Sequence, residues 1–219
     1  MKMLSVDNVS YRYKKGDRDV LDKVCCAFES GELSAIVGPS GSGKTTLLSI
    51  LAGLDRPHSG SVCIEDANLE DMDLDRYRRE RISMIFQAYH LFPLLTALEN
   101  VCYPMQINGA STGEASARAR ELLNSVYITE DKFRRYPSNL SGGEQQRVAI
   151  ARALSSGARV LLADEPTGNL DADNGAAVID IFKRLAHEEG YCIIIVTHSL
   201  EIANASDTVF HMKDGVLTL

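Results

Sequence analysis

The sequence predicts an α/β fold with a mostly parallel sheet core, an antiparallel β subdomain at the N-terminus and an inserted helical subdomain. Three observations predict it. A short, apolar, β-branched run, Leu33–Val37, enters a glycine-rich loop and leaves it as a helix-forming run, Thr46–Gly53. Two strand-like runs joined by a short turn precede this unit, the pattern of an antiparallel hairpin. After Gly143, strand and helix signals alternate, the pattern of a parallel sheet covered on both faces. A chain of 219 residues suits a single such domain with room for a proper core, so the expected unit is 1–219 with a helical subdomain at about 88–142.

Each element has a local reason. Residues 4–13 and 20–28 have strand composition, and the charged stretch Lys14-Lys15-Gly16-Asp17 separates them as a turn. Glu29-Ser30-Gly31-Glu32 turns the chain into Leu33–Val37. After Pro57-His58-Ser59-Gly60, the run Ser61–Ile64 reads as another strand of the first sheet. Asp73 caps a helix running to about Arg81, and Ile82–Phe86 is a buried strand ending at Gln87. From Ala88 to about Leu140 no core strand is legible. Thr96–Val101 looks helical, and a longer helix from Ser111 places Ala115, Ala119, Leu122, Leu123 and Val126 on one face. The regular pattern then resumes: helix 144–156, strand 159–163, helix 173–189, strand 191–196, and a closing pair at 207–212 and 215–219 through Lys213-Asp214-Gly215.

Composition limits the functional classes. Hydrophobic residues at 45% and charged residues at 24% are ordinary for a globular protein, and a net charge of −7 argues against a general nucleic-acid surface. The basic run Arg76–Arg81 follows four acidic residues and reads as a solvated helix face. Five scattered cysteines, Cys25, Cys26, Cys63, Cys102 and Cys192, make no C-x-x-C pair, which fits reduced thiols in or near a core. The N-terminus has no apolar signal core, and no run approaches the roughly 18 apolar residues of a membrane span.

Gly38-Pro39-Ser40-Gly41-Ser42-Gly43-Lys44-Thr45 fits the phosphate-loop pattern G-x-x-x-x-G-K-[ST] at every fixed position. Its glycines let backbone N–H groups approach a ligand, and the helix dipole behind them favours negative charge. The motif implies binding of a nucleoside triphosphate by Gly38, Pro39, Ser40, Gly41, Ser42, Gly43, Lys44, Thr45 and Thr46. Lys44 reaches the terminal phosphates and Thr45 offers a hydroxyl to Mg²⁺. Val160–Ala163 delivers Asp164 to a strand's C-terminal edge as a candidate Mg²⁺ ligand, and Glu165 follows as a candidate general base. Leu140-Ser141-Gly142-Gly143-Glu144-Gln145-Gln146 precedes a helix start, and two readings of it stand. One is a capped helix; the other is a second phosphate-binding surface serving a nucleotide held by another copy.

Taken together, the GPSGSGKT loop, LSGGEQQ and LLADEPT resemble the ATP-binding-cassette ATPase family over nearly the whole chain, and with it the P-loop NTPase fold. The resemblance implies head-to-tail pairing around two ATP molecules, with Ser141, Gly142 and Gly143 acting on the partner's ATP. It implies that Gln87 senses Mg²⁺ and that Asn169-Leu170-Asp171 crosses the dimer interface. It also implies that His198 contacts the γ-phosphate and that Tyr13, on the strand face of Tyr11, stacks on adenine. Catalysis would then rest on Glu165, His198, Lys44 and Gln87, with Thr45, Gln87 and Asp164 at the metal. GLDRPHSG, FQAYHLFPLLTALENV, SGGEQQRVAIARAL and DEPTGNLD look most like the lipoprotein-release and macrolide-export (LolD- and MacB-like) branch, with one departure at Ser199, where that branch has Asp.

The expected function is ATP hydrolysis that drives a separate integral membrane permease, with ATP and Mg²⁺ as cofactors and no nucleic-acid partner. The expected location is cytoplasmic, peripheral on the inner face of the cell membrane through that permease. The docking face would be the helical insertion near Leu91–Asn100, where Phe92, Leu94 and Leu95 want a cover. An ATP-gated regulator of a membrane protein, without transport, would carry the same motifs. A chromosome-structure ATPase would need long heptad runs, which are missing, and a small-molecule kinase has no use for LSGGEQQ.

Overall fold

The computed structural model describes residues 1–14 and 18–219, so most of the Lys14–Asp17 turn lies outside the described residues. Strand β1 (Lys2–Tyr11) pairs antiparallel with β2 (Leu21–Glu29), with register shifts around Asn8, whose φ is +50°. Strand β3 (Leu33–Val37) leads through the glycine-rich loop to helix α1 (Lys44–Leu51). Strands β4 (Ser59–Ile64) and β5 (Ala67–Asn68) complete the first sheet, in the order β2-β1-β4-β5. Helix α2 (Leu74–Glu80) starts where the Asp73 carboxylate accepts the N–H groups of Asp75 and Arg76, and β6 (Ile82–Phe86) follows. The face expected to be solvated is partly a packing face. Tyr77 is fully buried with its hydroxyl donating to the Leu51 carbonyl at 2.7 Å, and Arg78 donates to the Gly53 carbonyl.

Between β6 and the next strand the chain is helical: α3 (Ala97–Ile107), α4 (Thr112–Ser125) and α5 (Gly142–Ser155). Each starts with a capping box, in which a Ser or Thr side chain accepts the N–H three residues on and a Glu carboxylate accepts the cap's own N–H. The predicted inner face of α4 is buried, from Ala115 to Val126. Then come β7 (Val160–Asp164), α6 (Ala172–His187), β8 (Cys192–Thr197), α7 (Leu200–Ala205), β9 (Thr208–Lys213) and β10 (Val216–Thr218). Neither β5 nor α7 is legible in the sequence; both are too short to carry a period.

The central sheet runs β10-β9-β3-β8-β7-β6, parallel throughout except for β10. Its strands are apolar on both faces because both faces are covered. Leu161, Ala163, Ile193 and Ile195 pack with the helices from α3 to α7. The alternate residues Leu162, Ile194 and Val196 pack with α1 and the first sheet. Cys102 and Cys192 are buried, Cys26 and Cys63 half-buried and Cys25 exposed, and burial pushes the Cys26 and Cys192 thiols up to about 12. Among the described residues no helix is long and apolar enough to cross a membrane.

Candidate nucleotide site

Strand register assembles the site. Val37 lies opposite Thr197, Asp164 opposite Val196, and Phe86 opposite Asp164, so four neighbouring parallel strands end together. One step beyond those ends stand Gly38, His198, Glu165 and Gln87. This C-terminal edge is where open α/β sheets bind ligands.

The glycine-rich loop leaves the N-terminus of α1 open. Its N-cap is Gly43, with φ +109° and no side-chain hydrogen bond, whereas α2 to α7 are all capped by Asp, Thr or Ser side chains. Uncapped N–H groups at a positive helix end fit an anion. The buried hydroxyl of Ser42, a residue of the same loop, has no hydrogen-bond partner. Lys44 is folded back, its Nζ donating to the carbonyls of Gly38 and Pro39 at 2.8 and 2.9 Å. Ser40 and Thr45 are exposed, while Thr46 is buried with its hydroxyl 2.9 Å from that of Tyr13. Gly38 has a packing reason as well: a Cβ there would stand 2.0 Å from the Met212 carbonyl oxygen on β9.

Asp164 and Glu165 close the opposite side. Burial and the neighbouring Glu165 charge push the Asp164 carboxyl up, and the Thr45 hydroxyl and Lys44 only partly offset them. The Thr45 hydroxyl and the Asp164 carboxylate are hard oxygen donors of the kind that suit a divalent cation. Glu165 sits at φ +48°, a left-handed conformation uncommon outside glycine. Its carboxylate accepts from the Thr197 hydroxyl at 3.0 Å, the His198 N–H at 3.4 Å and His198 Nδ1 at 2.7 Å. Thr197, buried and also accepting the Ser199 N–H, escapes sequence reading, though its place before His198 at a strand end is a signal.

Gln87 donates through Nε2 to Asn169, and Asn169 returns a hydrogen bond to the Gln87 carbonyl, at 3.1 and 3.0 Å. The glutamine is thus tied to the 169–171 segment, with no hydrogen bond to Thr45 or Asp164. Tyr13 lies past the end of β1, so it does not share a strand face with Tyr11. The two rings instead meet edge to face, centroids 5.1 Å apart, and Tyr13 remains about half exposed above α1.

Ser141, Gly142 and Gly143 stand apart, sharing no hydrogen bond with the phosphate loop. Ser141 caps α5, and both glycines are pressed by neighbours. A Cβ at Gly142 would lie 2.9 Å from the Tyr89 hydroxyl, and one at Gly143 2.1 Å from Asn174 Oδ1. Asn174 is fixed in turn by Asp171 and by Arg147 on α5. A separate apolar cleft of about 430 Å³ lies between the central sheet and α3, lined by Leu54, Met84, Phe86, Phe92, Tyr103 and Ile107, with Arg78, Arg79 and Arg152 beside them.

An open phosphate loop, a carboxylate pair on the adjoining strand end, a histidine on the next and a second glycine-rich helix start define a nucleotide-hydrolysing cassette. The chain belongs to the ABC transporter family, whose profile matches residues 21–168, and within it the chain is an ATPase. It is 44% identical over 221 residues to the lipoprotein-releasing system ATP-binding protein LolD of Syntrophotalea carbinolica, covering 99% of this chain and 97% of that protein. It is 44% identical over 218 residues to the macrolide export ATP-binding/permease protein MacB 2 of Aeromonas hydrophila, covering 97% of this chain and 33% of that longer protein. Among solved structures it resembles the ATP-binding cassette MJ0796 of Methanocaldococcus jannaschii, a dimer in a post-hydrolysis state with ADP and Pi. That match has a TM-score of 0.89 at 39% identity and covers 99% of this chain and 97% of the other.

Proposed function

We propose that the chain is the energising subunit of a membrane transporter in the lipoprotein-release and macrolide-export branch, pairing with a second copy around two ATP molecules. The observation that supports this best is the shared strand edge, which carries Asp164, Glu165 and His198 beside Lys44 and Thr45 at the one uncapped α-helix start among the described residues. The loop N–H groups, Lys44 and the Ser42 hydroxyl hold the phosphates. Thr45, Asp164 and Gln87 would hold Mg²⁺, which when bound would supply positive charge against the phosphates. Glu165 takes a proton from the attacking water as the bond from γ-phosphorus to ADP breaks, and His198 contacts the γ-phosphate. Tyr13 stacks on the base.

In this reading Ser141, Gly142 and Gly143 of the second copy close over the γ-phosphate. Residues 88–142 form a helical subdomain within one domain, 1–219. The cleft beside α3 receives a permease segment, which places the chain at the inner membrane face. The test is Glu165→Gln: ATP binding survives, turnover falls about 10²–10⁴-fold and an ATP-dependent dimer accumulates. Normal turnover, or a chain that stays monomeric in ATP, rejects the proposal.

A further inference from the structure

The chain holds three capping boxes, at Thr96/Glu99, Ser111/Glu114 and Ser141/Glu144. Only the third glutamate has a cation on it among the described residues: Lys132 Nζ lies 2.5 Å from Glu144 Oε1, with both side chains half-buried. The other oxygen of Glu144 accepts the Ser141 N–H at 2.8 Å. In the first two boxes the cap hydroxyl also donates to its glutamate, at 2.7 and 2.6 Å. At Ser141 the hydroxyl accepts the Glu144 N–H at 3.3 Å, and burial, which would raise the Glu144 carboxyl, is outweighed chiefly by Lys132.

A capping glutamate suits an ordinary helix start, because its charge opposes the dipole. It is ill suited to a helix start that must face a triphosphate, where the carboxylate repels the incoming charge. We propose that Lys132 is a positioning residue for the second half of the nucleotide site. It neutralises Glu144, so that α5 keeps its cap while its N-terminus stays attractive to the partner's γ-phosphate, and it draws the carboxylate off the Ser141 hydroxyl, leaving that hydroxyl to donate outward. The inference rests on the reading that Ser141 faces the partner's ATP.

The test uses the Glu165→Gln background, with dimer formation followed by sedimentation against ATP concentration. Failure of this parent to dimerise defeats the proposed function itself, whatever Lys132 does. Given a parent that dimerises, Lys132→Met raises the ATP needed for half-maximal dimer about three- to tenfold, the effect expected of a partly buried charge at a helix end. Monomer ATP affinity and melting temperature stay near the parent's. Adding Glu144→Gln, which keeps an oxygen for the Ser141 N–H but carries no charge, restores dimerisation to within about twofold. A Lys132→Met chain that dimerises like the parent overturns the proposal. So does a double variant that stays as impaired as the single one, since the lysine would then act as a brace and not through charge. If Lys132→Met fails to fold, Lys132→Gln takes its place under the same criteria.

Discussion

The Nδ1 atom of His198 lies 2.7 Å from Oε1 of Glu165, and because a carboxylate only accepts, the imidazole must donate. Glu165 is therefore aimed before any nucleotide arrives. Its backbone is held at φ +48° and its carboxylate by donors from two consecutive residues of the next strand's end. Holding a strained glutamate in place is what a water-orienting group requires, since reactive geometry tolerates little wobble.

That arrangement separates the two donors. His198→Ala removes the shortest of these hydrogen bonds and, on the proposed function, the γ-phosphate contact with it, so kcat falls about 10²-fold. Thr197→Val leaves the imidazole in place and lowers kcat by about tenfold with little change in KM. It also destabilises the fold by about 1–3 kcal/mol, because the Ser199 N–H loses its acceptor. Steady-state ATPase assays and thermal melts on both variants check this; wild-type kcat in His198→Ala would remove the imidazole from the aiming of Glu165.

Asp164 is expected to trade stability for metal binding. Burial raises its carboxyl in the fold, and Glu165 raises it further. A raised folded value means the folded chain binds the proton more tightly, so above the carboxylate range the ionised group weakens the fold. Asp164→Asn therefore melts roughly 1–4 °C above the parent at neutral pH without nucleotide. The gap closes as pH falls through the carboxylate range, where the parent becomes neutral too. With Mg²⁺ and ATP the order reverses, since only the parent gains the full binding energy. Melting curves across pH, with and without Mg-ATP, decide it; a variant less stable at neutral pH contradicts the argument.

Much of this was legible from sequence because periodicity and punctuation are local. The apolar runs at Leu33–Val37 and Val160–Ala163, ended by Gly38 and Asp164, announce buried parallel strands and the residues they deliver. The shared edge is not local: it depends on the register that places Asp164 opposite Val196. The same holds for the tie between Gln87 and Asn169, 82 residues apart, which no spacing rule foresees. Tyr13 shows the opposite failure, where extending strand alternation past Tyr11 put both rings on one face of a strand that had already ended. The sequence offers Gly143 as part of a second phosphate-binding surface, yet the fold also needs a glycine there for contact with Asn174.

Those two roles of Gly143 can be pulled apart. A Cβ there stands 2.1 Å from Asn174 Oδ1, an atom unable to swing away because Asp171 and Arg147 hold its amide. Gly143→Ala should cost about 1–3 kcal/mol by overpacking. Adding Asn174→Ala recovers most of the melting temperature, since the clash goes with the amide. It does not recover ATP-dependent dimerisation, which stays more than about tenfold weaker because the new methyl still blocks close approach of the backbone to phosphate. Full recovery of both properties would leave Gly143 with a packing role alone.

The cleft beside α3 sorts the apolar surface into a seat and a bystander. Phe92 and Tyr103 meet edge to face, centroids 4.8 Å apart, and Arg152 lies over the Phe92 ring at 5.7 Å, so the wall is built before anything docks. Ile107 forms part of this wall yet is 57% exposed, whereas Leu94, at 85%, lies outside the cleft. A buried aspartate against an apolar partner costs several kcal/mol, but on an exposed position of the free chain it costs almost nothing. Ile107→Asp should therefore keep fold and basal ATPase within about twofold while ending co-purification with the membrane partner from detergent extracts. Leu94→Asp should co-purify normally. The reverse result, with Leu94 essential and Ile107 dispensable, would move the contact from the cleft to the loop before α3, and loss of both would widen it to the whole outer face.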